Sequence, residues 1–441
     1  MRRPRLAVAA LVGPALVVSA LALPAASAAA ADPPPRAERE QLRSSVAGTL
    51  PPPAGAPYRT VLRFATYNVS LNRPEQGQLL ADLQAGDQQA RDVAEVIQRT
   101  RPDVLLLNEV DYDPEALRVF VEDYLGVSQG GAEPISYPYS FVDESNTGVP
   151  SGVDLDGDGS VGGPGDAFGF GFFPGQYGMA LLSQHPVVED EVRTFATFRW
   201  VDMPGARLPS DPSTPAEGDF YSPEALEVFR LSSKSHWDVP VQVGERTVHV
   251  LASHPTPPTF DGPEDRNGLR NADEIRFWRD YITPGRGGYV YDDDGVSGGL
   301  PVREQFVVMG DLNADPADGD SVPGAIQQLL DAPRVQDPAP TSRGALEQSQ
   351  LQAGSNLDHV GPASTDTADF GDPPGNLRVD YVLPRRDMRV TGSGVFWPLE
   401  EDPLFRLVGT FPFPTSDHRL VWVDATVPGA GRLPGPDVAG S

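Results

Sequence analysis

Short apolar runs of strand length recur between residues 59 and 427, and several break off in a residue able to do chemistry. "RTVLRFATYNVS" (59–70) reads as a strand that finishes in Asn68, and "DVLLLNEV" (103–110) as a nearly unbroken apolar strand ending in Glu109. Between them, "DQQARDVAEVIQRTRPDV" (87–104) places Ala90, Val93, Ala94 and Ile97 on one helical stripe, stopped by Pro102. Further strands are expected at 177–187, 226–243, 246–254, 304–313, 377–384 and 419–427. Helices are sparse; the clearest is "NADEIRFWRDYI" (271–282), opened by Asn271 with Glu274 three places on as a capping box. Strands outnumber helices at the spacing of two packed sheets with helices outside, in one domain.

Five strand ends carry the same kind of residue: Asn68, Glu109, His254, Asp311 with Asn313, and Asp417 with His418 ahead of the last strand. "VVMGDLNADPADGD" (307–320) taken alone is an acidic turn as readily as a metal site. Five such ends in one domain point instead to polar residues converging at one edge of the sheets. Glu109 and Asp311 offer hard oxygen ligands suited to Mg²⁺ or Mn²⁺, and Asp311 is equally placed to orient a water molecule. His418 and His254 are of the type that contacts or protonates phosphoryl oxygen.

The ordered set "ATYNV", "LLNEV", "GMALLSQHPV", "ASHPTP", "GDLNADP", "RVDYVL" and "SDHRLV" resembles the endonuclease/exonuclease/phosphatase superfamily, the DNase I-like proteins, over about 60–427. That resemblance implies an α/β fold, a four-layer sandwich of two packed mixed β-sheets flanked by helices. It implies Glu109 as the principal divalent-metal ligand, with Asn68 and Asp417 supplementing it. It further implies that Asp311, oriented by Asn313, holds the attacking water, and that His418 bonds the scissile phosphate while paired with Asp380. His254 is a second candidate for the leaving oxygen, with a buried structural histidine as its plain alternative; a plain strand carboxylate is the alternative for Asp380. The implied reaction is in-line hydrolysis of a P–O bond by a metal-dependent phosphoric ester hydrolase, a phosphodiesterase or nuclease on short or small substrates. A phosphomonoesterase, a sphingomyelinase-like lipid phosphodiesterase and an inactive binding module on the same fold stay open.

Composition narrows this further. The 441 residues contain no cysteine, which excludes thiolate catalysis, cysteine-ligated zinc and disulfides. A net charge of −28 slows the approach of a long polyanion, and no basic amphipathic helix or lysine-rich arm offsets it, so no dedicated duplex-DNA surface is expected. Residues 1–30 run from three arginines through an apolar stretch to small residues, the order of a secretory signal peptide. A Pro/Ala-rich lead-in (31–57), a catalytic domain (58–428) and a disordered tail (429–441) follow, giving a secreted protein, extracellular or in the cell envelope, with no transmembrane segment in the mature chain. A monomer acting on a small phosphoester, a short nucleic acid or a lipid headgroup is expected.

Two insertions, near 143–178 and 255–300, bear on substrate. "DLDGDGS" spaces Asp154, Asp156 and Asp158 like the first half of a calcium loop, although Gly165 stands where a twelfth-position Glu is usual. Structural Ca²⁺ and a plain glycine-rich loop are the two readings. The phenylalanines of "FGFGFFPG" (168–175) suit either lipid contact or internal packing. Arg266 and Arg270 are candidates to bind substrate phosphate, Arg270 beside an Asn271 that serves equally as helix cap. Lys234, the chain's one lysine, and His236 are candidates for the cleft or for a surface position.

Overall fold

A computed structural model describes residues 61–430; the leader, the lead-in and residues 431–441 of the tail lie outside them. The strands are β1 (Val61–Leu71), β2 (Val104–Val110), β3 (Tyr139–Phe141), β4 (Gly178–Ser183), β5 (Arg193–Thr194), β6 (His236–Val243) and β7 (Arg246–Ser253). They continue with β8 (Gln305–Asp311), β9 (Ala368–Asp369), β10 (Asn376–Leu377), β11 (Asp380–Pro384), β12 (Val390–Val395) and β13 (Val421–Thr426). One sheet runs β12-β13-β1-β2-β4-β3, the other β11-β8-β7-β6-β5, and β9 and β10 form a small ribbon.

Alternation along the strands builds the layers. Phe64 of β1, Leu106 of β2, Val250 of β7, Val307 of β8 and Val423 of β13 turn inward and share one buried core between the sheets. On its outer face the first sheet sends Tyr67, Leu105 and Leu107 against Val93, Ala94 and Ile97 of the Gln88–Thr100 helix. The second sheet sends Leu251, Phe306 and Val308 against Ile275, Trp278 and Tyr281 of the Arg266–Ile282 helix. Helix, sheet, sheet and helix therefore stack in four layers, as expected. No helix among the described residues is long and apolar enough to cross a membrane.

Three local readings need correction. The segment from 226 begins as the end of a helix, Pro223–Val228, capped by the Ser222 side chain, and only His236–Val243 is strand. The long helix opens at Arg266, and Asn271 lies inside it with no capping role. Its Glu274 accepts N–H groups from Ser233 and Thr256, both at 2.7 Å, and so ties two distant loops together.

Strand direction decides where the polar ends meet. β1 runs parallel to β2, and β7 parallel to β8, while β13 and β11 pair antiparallel to β1 and β8. The carboxyl ends of the first four therefore lie with the amino ends of the last two, and Asp380 pairs directly with Asp311. Gly310 permits the close approach of β8 to the end of β7, since a Cβ there would lie 1.9 Å from the Ser253 carbonyl oxygen.

Candidate functional site

Asp311 is the hub of the site, 1% exposed at the end of β8. Its Oδ1 accepts the backbone N–H of Asn313 at 3.0 Å, and its Oδ2 accepts Asn68 Nδ2 at 3.1 Å. His254 Nε2 and His418 Nε2 face the same Oδ2 at 3.4 and 3.6 Å. Asn313, at φ 50°, turns its amide to the Pro255 carbonyl at 3.1 Å and so binds the loop after β8 to the loop after β7. Burial pushes the Asp311 carboxyl up to about 7, with neighbouring Asp380 adding to the effect and His418 opposing it.

His418 Nδ1 pairs with Asp380 Oδ2 at 2.9 Å, and Thr367 Oγ1 donates to that same oxygen at 2.8 Å. Burial alone would lower the imidazole's affinity for a proton, but the carboxylates of Asp380 and Asp311 outweigh it and hold His418 well above its ordinary pKa. His254 goes the other way: burial, then the positive charges of Lys234 and His418, drive it well below 6.5. One histidine is thus kept charged and its neighbour neutral. The turn carrying Asp417 and His418 is fixed by buried Arg419, which donates to the Ser416 and His418 carbonyls and stacks over Trp397.

Glu109 sits at a bulge of β2 with φ 57°, a left-handed backbone that turns its side chain out of the strand's alternation. Asn72 Nδ2 donates to it at 3.0 Å. Burial raises its pKa, while His418 and Lys234 counter with positive charge and Asp417 adds negative charge. Lys234 is 7% exposed, and burial lowers its pKa against the pull of Glu109, Glu274 and Asp311. Asp311, Asp380 and His418 present ligand atoms all within 4.8 Å of one another, a grouping able to hold a divalent ion.

Two predicted substrate contacts are engaged elsewhere. Arg270 is buried, donates to the carbonyls of Leu231, Phe168 and Arg230, and lies over the Phe229 ring. Arg266 pairs with Glu264. Neither lines the cleft that opens on Glu109, Asp311 and His418. His236 is fully buried between Ser232 Oγ and the Glu274 carbonyl, and burial takes its pKa down to about 3. Asn72 and Thr367, which brace Glu109 and Asp380, escaped sequence reading because nothing marks a lone amide or hydroxyl in a loop.

The second acidic group, Asp154, Asp156 and Asp158, also gathers ligand atoms within 4.8 Å. Asp154 accepts N–H groups from Gly157 and Gly159, Asp156 from Asp158, and Asp158 from Ser160. Gly165 at the twelfth position has a reason: a Cβ there would fall 2.1 Å from Asp156 Oδ2. Buried Asp166 instead clasps the loop through the N–H groups of Leu155 and Gly162. Phe168 packs inside, whereas Phe170 and Phe172 stand exposed, edge to face at 5.6 Å.

Residues 65–418, which include Asn68, Glu109, His254, Asp311, Asp380 and His418, match the Endonuclease/Exonuclease/phosphatase family. The chain belongs to that family. No curated protein sequence matches it. Among solved structures, this family member is similar to an endonuclease/exonuclease/phosphatase from Beutenbergia cavernae, at 18% identity over 84% of this chain and 73% of that one, TM-score 0.47. A family protein from Leptotrichia buccalis gives 13% identity over 83% and 100% of the two chains, TM-score 0.41. Sphingomyelinase C from Streptomyces griseocarneus gives 16% over 83% and 99%, TM-score 0.38.

Proposed function

We propose that this chain is an exported, divalent-metal-dependent phosphodiesterase that hydrolyses P–O bonds by in-line attack of water. The observation carrying this reading is the meeting of one buried carboxylate, Asp311, with Asn68, His254 and His418 from three other strand ends. Export rests on the order of charged, apolar and small residues in 1–30, which lie outside the described structure.

Asp311 accepts the proton of the attacking water, and Asn313 and Asn68 fix the carboxylate's orientation. A pKa near 7 suits that task, because a base titrating near working pH is both available and basic enough. His418, kept protonated by Asp380, donates to a phosphoryl oxygen. Neutral His254 directs its Nε2 side into the same space, close to the departing alcohol oxygen. Lys234 adds a compact positive charge where negative charge accumulates.

The donor set also fits a metal ion. Glu109 and Asp417 are hard oxygen donors, Asn68 stands beside them, and the carboxylates around Asp311 outnumber the cations Lys234 and His418. Glu109, Asn68 and Asp417 would hold Mg²⁺ or Mn²⁺, which when bound withdraws charge from the phosphoryl oxygens. Asp380 is a poorer ligand, since its Oδ2 is already taken by Thr367 and His418. Structural Ca²⁺ at Asp154, Asp156 and Asp158 belongs to the same proposal.

Diester is preferred to monoester substrate because Arg266 and Arg270, the residues suited to a terminal phosphate, are held away from the cleft. The test is product release by purified protein from bis(p-nitrophenyl) phosphate, single-stranded DNA, RNA, 5′-nucleotides and sphingomyelin, with Mg²⁺ or Mn²⁺ restored after chelation. Metal-dependent turnover of a diester that collapses in Asp311→Ala and His418→Ala is expected. Folded protein that leaves every diester intact would overturn the reading.

A further inference from the structure

The two histidines beside Asp311 are held in opposite ways. His418 has a carboxylate, Asp380, bonded to its Nδ1 at 2.9 Å. His254 is equally buried, yet its Nδ1 has no hydrogen-bond partner among the described residues. Its Nε2 faces Asp311 Oδ2 at 3.4 Å, an arrangement that favours the ring hydrogen on Nε2 and leaves Nδ1 bare. With no hydrogen bond to brace the far side of the ring, the aim of His254 depends on the backbone that carries it.

That backbone is gripped on both sides of His254 by one stripe of the Arg266–Ile282 helix. Asn271, Glu274 and Trp278 follow at intervals of three and four residues, so they share a face, and all three are fully buried. Trp278 Nε1 donates to Ser253 Oγ at 2.9 Å, immediately before the histidine. Two places after it, Thr256 gives its N–H to Glu274 Oε2 at 2.7 Å and receives Asn271 Nδ2 on its carbonyl at 2.9 Å. The same Asn271 amide reaches the carbonyl of Leu312, next to Asp311, at 2.9 Å. Glu274 Oε1 accepts the N–H of Ser233, next to Lys234, at 2.7 Å. One helix face thus spaces His254, Asp311 and Lys234 by bonding the residues beside them.

Within this stripe Glu274 has the strictest chemical requirement. Each of its oxygens accepts the N–H of a different loop, whereas an amide of the same shape offers one acceptor and turns an NH₂ toward the other N–H. We propose that Glu274 is a positioning residue for departure of the alcohol: through Thr256 and Ser233 it aims His254 and Lys234 at the departing oxygen. The proposal rests on the phosphodiesterase reading above and assigns its leaving-group side. One water is consumed, its oxygen bonding to phosphorus as the bond to the alcohol breaks. A proton from that water balances the departing alkoxide, while His254 donates a hydrogen bond and keeps its own proton.

The test uses two diesters that differ in how much help the departing oxygen needs, diphenyl phosphate and bis(p-nitrophenyl) phosphate, the nitro group stabilising the second leaving anion. In the full chain with Mg²⁺, Glu274→Gln should lower kcat for diphenyl phosphate by about 10²-fold and for bis(p-nitrophenyl) phosphate by less than about tenfold, with KM little changed. His254→Ala should show the same preference, and adding Glu274→Gln to it should cost less than about twofold more on diphenyl phosphate. Trp278→Phe, which keeps an aromatic ring and loses the donor to Ser253, should shift the same ratio in smaller measure; it decides the matter if Glu274→Gln does not fold. A merely structural role lowers both rates by one factor. Equal losses on the two diesters, or losses from Glu274→Gln and His254→Ala that multiply in full, would overturn the proposal and leave the phosphodiesterase reading standing. A parent protein that cleaves neither diester would overturn both.

Discussion

Two clusters in this molecule are alike as lists of ligands and opposite as physical environments. Asp311, Asp380 and His418 come from positions spread over more than a hundred residues and are buried, whereas Asp154, Asp156 and Asp158 share one loop and are partly exposed. In the loop, each carboxylate is satisfied by backbone N–H groups a few residues away. In the buried cluster the fold forces charges together, so protons are redistributed: Asp311 is pushed up to about 7 by burial, and His418 is held charged by its carboxylate neighbours. Reactivity follows from charges that only the whole fold can bring together.

The harshest test removes the buried groups. Asp311→Ala or His418→Ala should lower kcat by about 10³–10⁴-fold with the folded state intact by circular dichroism, while Asp156→Asn changes kcat less than about twofold. Chelation should cost at least about 10²-fold in kcat/KM, restored by Mg²⁺ or Mn²⁺; calcium that restores full activity would undo the contrast between the clusters.

Asp380→Asn sharpens the same contrast through pH. Activity should rise as Asp311 loses its proton, around pH 7 or below once a bound cation favours the carboxylate, and fall where His418 finally deprotonates. Losing the Asp380 charge lowers the His418 pKa, so the upper limb should move to lower pH and the maximal rate drop by about 10²-fold. An unchanged upper limb would remove His418 from the protonation scheme.

A smaller effect belongs to the loop: calcium should raise Tm by about 2–5 °C in the parent and not in Asp156→Asn, read by calorimetry. The smallest concerns a carboxylate–imidazole pair away from both clusters, His249 Nδ1 with Asp238 Oδ1 at 2.6 Å between β6 and β7. Burial opposes protonation of His249, but Asp238 and Glu304 prevail and raise its pKa above 6.5. Its contribution is therefore fully present below pH 6.5 and is lost as pH rises through the higher folded value. His249→Gln should cost about 1 kcal/mol at pH 5.5, little at pH 9, and no activity at either pH.

Much of this was legible because the strands are buried on both faces and stop at polar residues. Asn68, Glu109, His254, Asp311 and His418 could be picked out as strand ends, and parallel pairing of β1 with β2 and of β7 with β8 puts four of those ends on one edge. Where local signals were weak, reading failed. The Arg266–Ile282 helix begins after Asp265 in a left-handed conformation with no side-chain cap, so nothing announces its start. The short β3 and β5 and the Gly/Ser-containing β12 lack strong strand patterning and draw their pairing from neighbours. The Pro223–Val228 helix did carry a signal, Ser222 before Pro223, that the apolar run behind it obscured. Arg270 could not be judged at all from sequence, because the carbonyls it binds belong to segments 39 and 102 residues away.

Lys234 leaves the molecule with an unusual chemical handle. It is the one lysine among 34 lysines and arginines. An amine-selective acylating reagent therefore has two targets, the amino terminus and an ammonium group whose acidity is increased by burial beside Glu109. Counting adducts by mass spectrometry would report how far the buried ammonium beside Glu109 is open to solvent.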